Sequence, residues 1–179
     1  MLEKDNTVLV VIDVQGRLAE LMHEKDELFD NLRRLIEGAK VLGLPIVLTE
    51  QNPAGLGPTR PEVSSLIADV KPIAKLAFSC CGQKEFVDAV RITGKRQVLL
   101  AGIETHVCVY QTALDLIGKG YEVHVVADAV SSRKEFNKMI GLEKMRHAGA
   151  LVTCVETALF ELLRVAEGPE FKAIIKIVK

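Results

Sequence analysis

A cysteine set where a strand turns into a helix is equipped for nucleophilic chemistry, and this chain carries one. The segment Gly102-Ile103-Glu104-Thr105-His106-Val107-Cys108 follows the apolar run Gln97-Val98-Leu99-Leu100-Ala101, which reads as a buried parallel strand. It precedes Val109-Tyr110-Gln111-Thr112-Ala113-Leu114-Asp115-Leu116, which reads as a helix. Cys108 is therefore predicted in the first turn of a helix at the carboxyl end of a strand, the edge of an open α/β sheet where ligands bind. Unpaired backbone N–H groups and the helix dipole there favour a thiolate. Asp13 closes another apolar run, Val10-Val11-Ile12-Asp13, and Lys75 stands in Ile73-Ala74-Lys75-Leu76-Ala77-Phe78-Ser79. Together the three residue types would supply a nucleophile, a carboxylate base and a cation. Taken singly, Asp13 reads as a helix cap and Lys75 as a surface charge, and spacing alone does not bring the three together.

The elements that must position them alternate along the chain. Thr7-Val8-Leu9-Val10-Val11-Ile12 is β-branched and aliphatic throughout, as in a strand covered on both faces. From Glu27 to Leu42 the residues Leu28, Leu32, Leu35, Ile36, Ala39 and Leu42 keep one helical face, and Gly43 stops it. Pro45 to Thr49 begins a second strand. Gln51 to Pro61, with three prolines and two glycines, reads as a functional loop. A short strand over Lys71–Lys75, a helix over Lys84–Thr93, strands at Gln97, Tyr121–Val126 and Ala150, and a helix over Glu135–His147 follow. Amphipathic helices over Val155–Val165 and Glu170–Val178 close the chain. The alternation predicts a three-layer α/β/α architecture around a mostly parallel sheet, with residues 1–179 as one domain. The last helix, about 169–178, carries Phe171, Ile174, Ile175 and Val178 for packing on the domain or on a partner subunit.

Composition narrows the function classes. Lys and Arg total 23 against 24 Asp and Glu, spread without a basic block, which predicts no nucleic-acid or membrane partner. The polar start Met1–Asn6 does not read as a signal peptide, so a cytoplasmic location with reduced thiols is expected. No pair among Cys80, Cys81, Cys108 and Cys154 has the spacing of a zinc site or redox motif. Cys154 is expected as a small core residue, and Cys80 and Cys81 at a loop or helix start with no chemistry assigned. Asp13-Val14-Gln15-Gly16-Arg17 is no phosphate loop, which argues against a nucleotide-binding domain.

Asp13-Val14-Gln15, Lys75 with Phe78-Ser79, and Gly102 to Val109 stand in this order with separations that resemble the isochorismatase-like family of cysteine hydrolases. Thr49-Glu50-Gln51 with Gly55-Leu56-Gly57, Gln111 to Leu116, and Val125-Val126-Ala127-Asp128-Ala129 extend the likeness over roughly Thr7 to Leu163. It is nearest to the branch of isochorismatase-domain proteins without an assigned substrate. The resemblance implies a six-stranded, Rossmann-like sheet and a catalytic set of Asp13, Lys75 and Cys108. It also implies a cis peptide at Ile103–Glu104, and an oxyanion hole from the backbone N–H groups of Glu104 and Cys108. Cysteine attacks a carbonyl-type carbon, while the aspartate takes the thiol proton and later activates water. The lysine holds the aspartate and helps keep the thiolate charged.

The departures narrow the activity. Nicotinamidase-type relatives hold a metal through an aspartate and histidines after the second strand. Here Glu50 stands without a histidine nearby in sequence, so no metal and no cofactor are expected. Of the histidines, His106 reads as a helix-start residue pointing away from Cys108, and His124 as packed or exposed rather than catalytic. Thr105 reads as a helix cap. Substrate contacts are assigned to Gln51, to Leu18 one turn after Asp13, and to Phe78, the main aromatic wall in a chain with no tryptophan. The leading reading is a cofactor-independent hydrolase of a small amide, imide or related carbonyl compound. The alternatives are a vinyl-ether hydrolase of the isochorismate type, a non-catalytic binding or scaffold protein, and a redox-active single-cysteine protein. The resemblance also implies a homo-oligomer, dimer or tetramer.

Overall fold

The computed structural model describes residues 1–179. Six parallel strands, β1 (Thr7–Ile12), β2 (Ile46–Gln51), β3 (Ile73–Lys75), β4 (Gln97–Ile103), β5 (Glu122–Ser131) and β6 (Leu151–Thr153), form one sheet in the order β3-β2-β1-β4-β5-β6. The helices are α1 (Gly16–Glu20), α2 (Lys25–Val41), α3 (Pro53–Leu56), α4 (Pro61–Ser64), α5 (Lys84–Ile92), α6 (Tyr110–Gly118), α7 (Glu135–His147), α8 (Val155–Leu163) and α9 (Gly168–Val178).

Every residue of β1 and β4 is buried, which is why both read as unbroken apolar runs. Alternation divides β1 between two cores. Leu9 and Val11 join the side chains of α2, α8 and α9, whereas Val8, Val10 and Ile12 join those of α5, α6 and α7. Each fully buried Val, Leu or Ile contributes about 1.5–3 kcal/mol, so this central strand anchors both layers. The last helix packs on its own chain: Ile174 is fully buried against the first of these cores, with Phe171 and Val178 half-buried beside it.

The chain builds β2 and β3 on one side of β1 and then crosses to lay β4 on the other. That reversal opens a crevice between the carboxyl ends of β1 and β4. Gly102 permits the close approach there. Its φ is +115°, and a Cβ at this position would lie 2.1 Å from the Ile12 carbonyl oxygen.

Four local expectations change. The predicted strand Tyr121–Val126 runs on to Ser131 through a register shift between Leu100 and Gly102. Asp128, whose polarity masked the continuation, turns its carboxylate to accept the Val155 N–H at 2.9 Å at the start of α8. The Gln51–Pro61 loop folds into the single turns α3 and α4, each entered through a proline that needs no N–H partner there. Cys154 is not core: it is half-buried at the N-cap of α8, and its thiol donates to Thr157 Oγ1 at 3.1 Å. Thr105 does not cap, because the turn begins one residue earlier at Glu104, and its buried hydroxyl has no partner.

Gly102→Ala is expected to destabilise the fold by at least about 2–3 kcal/mol, from a strained positive φ and a clash with backbone that cannot yield. Urea denaturation against the parent chain measures the loss.

Candidate active site

The sheet carries Asp13 to the crevice directly. It follows β1, its N–H donates to the Thr49 carbonyl of β2 at 3.2 Å, and its φ is +52°. That left-handed backbone is uncommon outside glycine and tolerated by aspartate, and such residues concentrate at functional sites. Strand register does the same for the cation, since β2 and β3 pair Gln51 with Lys75. Lys75 Nζ donates to Asp13 Oδ2 at 2.6 Å, with side-chain exposures of 0% and 3%. It also donates to Gln51 Oε1 at 2.8 Å and to the Phe78 carbonyl at 3.0 Å. Thr49 Oγ1 occupies the other carboxylate oxygen, Oδ1, at 2.7 Å. A buried ion pair needs such added partners, because desolvation otherwise consumes the Coulomb gain.

The turn that receives Lys75 is pinned to α6. Ser79 Oγ donates to Asp115 Oδ2 at 2.6 Å, and the Cys80 N–H donates to Thr112 Oγ1 at 2.9 Å. Gln15 ties β1 to β2 further out: its Oε1 accepts the Gln51 N–H at 2.6 Å, and its Nε2 donates to the Gly57 carbonyl at 2.7 Å.

Cys108 enters from the other strand. The Ile103–Glu104 peptide is cis, and a wide turn over Thr105–Val109 follows, in which the Val109 N–H reaches back five residues to the Glu104 carbonyl at 3.3 Å. α7 braces this turn at Gly141, where a Cβ would lie 2.9 Å from the backbone of His106. The Glu104 carboxylate leads away from the crevice and accepts the Arg133 N–H and Nε, each at 3.1 Å. His106 also turns outward, with Nδ1 2.9 Å from Ser132 Oγ. His124 is buried and paired with Glu122 at 2.6 Å.

Cys108 is 7% exposed, and Asp13 and Lys75 are the charged groups that act on its thiol. Burial first, and then the negative charge of Asp13, push its pKa up to about 12 against the opposing pull of Lys75. The expected resting thiolate is thus replaced by a thiol. The ammonium that would favour the anion is already 2.6 Å from Asp13, and one helix end does not outweigh desolvation. The arrangement is a thiol facing a fixed carboxylate, ready to pass a proton when sulfur attacks an electrophile.

Among the expected substrate contacts, Gln51 reaches the site, held by Lys75 and by its own donation to the Leu76 carbonyl at 2.8 Å. The Phe78 side chain is 55% exposed beside the crevice mouth, while its carbonyl serves Lys75. Leu18 leans on the core of the α2 layer. Glu50 turns to Thr59, its Oε1 accepting the N–H and the hydroxyl at 2.6 and 2.7 Å. Sequence reasoning missed Thr49, Gln15 and Cys80. Cys80 is fully buried with Sγ 3.7 Å from Thr49 Oγ1, and burial pushes its thiol up to about 12. Gln15 had a signal, its place two residues after Asp13. Cys80 had none.

A six-stranded parallel sheet with helices on both faces, and a buried ion pair and a thiol near its switch point, defines an α/β protein of the Rossmann-like class. The chain belongs to the isochorismatase family: the Isochorismatase domain matches residues 7–157. It is 42% identical over 178 residues to the secreted isochorismatase effector Isc1 of Phytophthora sojae, covering 97% of this chain and 85% of that protein. Among solved structures, the MAR1 ribonuclease of Caenorhabditis elegans superposes with a TM-score of 0.92 at 37% identity, over 99% of this chain and 91% of the other. The YcaC gene product of Escherichia coli, an octameric hydrolase of unknown specificity, superposes at 0.93 and 30% identity, over 98% and 88%. No helix is long and apolar enough to cross a membrane.

Lys75→Met should cost about 3–5 kcal/mol of folding stability, because it leaves Asp13 buried and unpaired. The double variant Asp13→Asn/Lys75→Met should recover part of that loss. A double-mutant cycle in denaturant checks both expectations.

Proposed function

We propose that the chain is a cofactor-independent hydrolase that attacks a small amide, imide or related carbonyl compound through Cys108. The observation that carries this reading is a buried Cys108 thiol under the influence of an Asp13 carboxylate fixed on both oxygens by Lys75 and Thr49. Sulfur adds to the carbonyl carbon as Asp13 takes the thiol proton. The tetrahedral oxyanion is received by the backbone N–H groups of Glu104 and Cys108. In support, the Glu104 N–H donates to no protein acceptor. Asp13 then returns its proton to the leaving nitrogen, and the C–N bond breaks to leave a thioester. Water, deprotonated by the same carboxylate, attacks that thioester and expels the thiol with its proton restored. Lys75 keeps Asp13 in place and offsets its charge. Gln51, Leu18 and Phe78 are assigned to the substrate, and four unpaired cysteines fit a reducing, cytoplasmic setting.

An amide and imide panel tests the reading. Cys108→Ala should abolish any hydrolysis found, and a chelator should leave it unchanged. Asp13→Asn should slow turnover about 10²-fold or more, the usual contribution of a general base. The same variant removes two influences that raise the thiol pKa, so alkylation of Cys108 by iodoacetamide at pH 8 should become faster. In the parent, the alkylation rate should climb with pH through 10 without levelling. Hydrolysis indifferent to Cys108, or Cys108-dependent cleavage of an RNA carried in parallel, would replace the proposal.

We also infer self-association through α7. Its outward residues Phe136, Met139 and Ile140 are 72%, 60% and 38% exposed, while Gly141 and Met145 on the inward face are buried. A cluster of exposed apolar side chains marks an interaction surface, and the YcaC relative is an octamer. Light scattering on a sizing column should report an oligomer for the parent and a smaller mass for Met139→Glu.

A further inference from the structure

At the amino-terminal edge of the sheet, opposite the Asp13–Cys108 crevice, lies a cavity of about 200 Å³ between the ends of α5 and α6 and the starts of β4 and β5. Arg91, Lys95, Arg96, Lys119 and Tyr121 line it together with two glycines, and no carboxylate does. The chain carries no basic block. The fold assembles this one from residues 28 positions apart, and it lies among 23 cations and 24 anions in total.

Of the four cations in the cavity, the protein pairs only one with a carboxylate. Arg91 pairs with Asp88 at 3.1 Å. Lys95 Nζ donates to the neutral Asp5 carbonyl at 2.7 Å. The side chains of Arg96 and Lys119 meet no protein acceptor; Arg96 is held through its backbone, whose N–H donates to Asn6 Oδ1 at 3.0 Å and whose carbonyl accepts the Glu122 N–H at 2.9 Å. Cations at helix carboxyl ends offset the macrodipole, but α5 and α6 each supply only about −0.5 of a charge. Four cations, less Asp88 and these two ends, leave roughly two positive charges converging on one concavity. Glu122, the nearest acidic residue along β5, is turned to Gln97 and His124 and does not line it. A phosphate group carries about −1.5 to −2 at neutral pH and three strong acceptor oxygens, matching that excess in charge and in donors. The planar guanidinium of Arg96 suits two of those oxygens at once.

We propose that this cavity binds a small phosphate dianion, either inorganic phosphate or the phosphate of a low-molecular-weight monoester, with Arg96 and Lys119 as its principal ligands. The site is separate from the proposed hydrolytic centre and does not depend on that reading.

Calorimetric titration of the full chain in phosphate-free, low-salt buffer tests it, with inorganic phosphate in one arm and ribose 5-phosphate in the other. One saturable site per chain is expected, and Arg96→Ala/Lys119→Ala should weaken it at least about tenfold, since both lost contacts are charge-assisted. Both residues are exposed, so the thermal melt of the double variant should match the parent. Cys108→Ala should bind as the parent does, which separates this site from the hydrolytic one. Tighter binding of the sugar phosphate identifies a monoester as ligand, and equal binding identifies free phosphate. No saturation in either arm up to about 20 mM, a range that would still reveal millimolar affinity, overturns the proposal. So does binding that the double variant leaves intact.

Discussion

The buried ion pair between Lys75 and Asp13 is the constraint around which the rest of the crevice is organised. An ammonium with no exposed side-chain surface is tolerable only when its donors are spent, and here a carboxylate, an amide oxygen and two carbonyls accept them. That requirement fixes β3 as an edge strand ending at Lys75, and it fixes the turn after it, whose carbonyls must point inward. The turn in turn needs Ser79 and Cys80 tied to α6. One charge buried at a sheet edge thereby ties together β1, β2, the β3 turn and α6.

The same pair bears on the state of Cys108. An unpaired lysine beside Cys108 would draw out a thiolate. A lysine already matched to an aspartate leaves the cysteine beside an ion pair whose two charges act on it in opposite directions, so burial dominates and the proton stays on sulfur. The proposed hydrolysis then depends on a proton moving during attack rather than on a standing anion. Such a site is shielded from casual alkylation and oxidation, which act on the thiolate.

Much of this was legible in the chain. β1 and β4 are buried on both faces, so their sequences state their position without ambiguity, and the residues ending them, Asp13 and Gly102, mark the crevice. The helical face from Leu28 to Leu42 was equally plain. What the sequence concealed were features set by contacts across the fold. Asp128 looked like a strand terminator because its partner, the Val155 N–H, is 27 residues away. Thr49 and Cys80 looked like ordinary strand and turn residues, since their relation to Asp13 exists only once β1, β2 and the β3 turn are adjacent. The thiol state of Cys108 was misjudged for a related reason: a local rule about helix ends was applied where burial, a property of the whole fold, decides. The cation-lined cavity was hidden likewise, its members being divided between two loops.

Gly102 has a consequence beyond its own backbone. Because no side chain stands between the ends of β1 and β4, Ile12 and Gly102 pair directly, and Asp13 and the turn that carries Cys108 leave the sheet from neighbouring strands. The sheet works as a frame for the crevice: loops at the mouth can be rewritten while the main-chain pairing beneath Asp13 and the Cys108 turn stays the same.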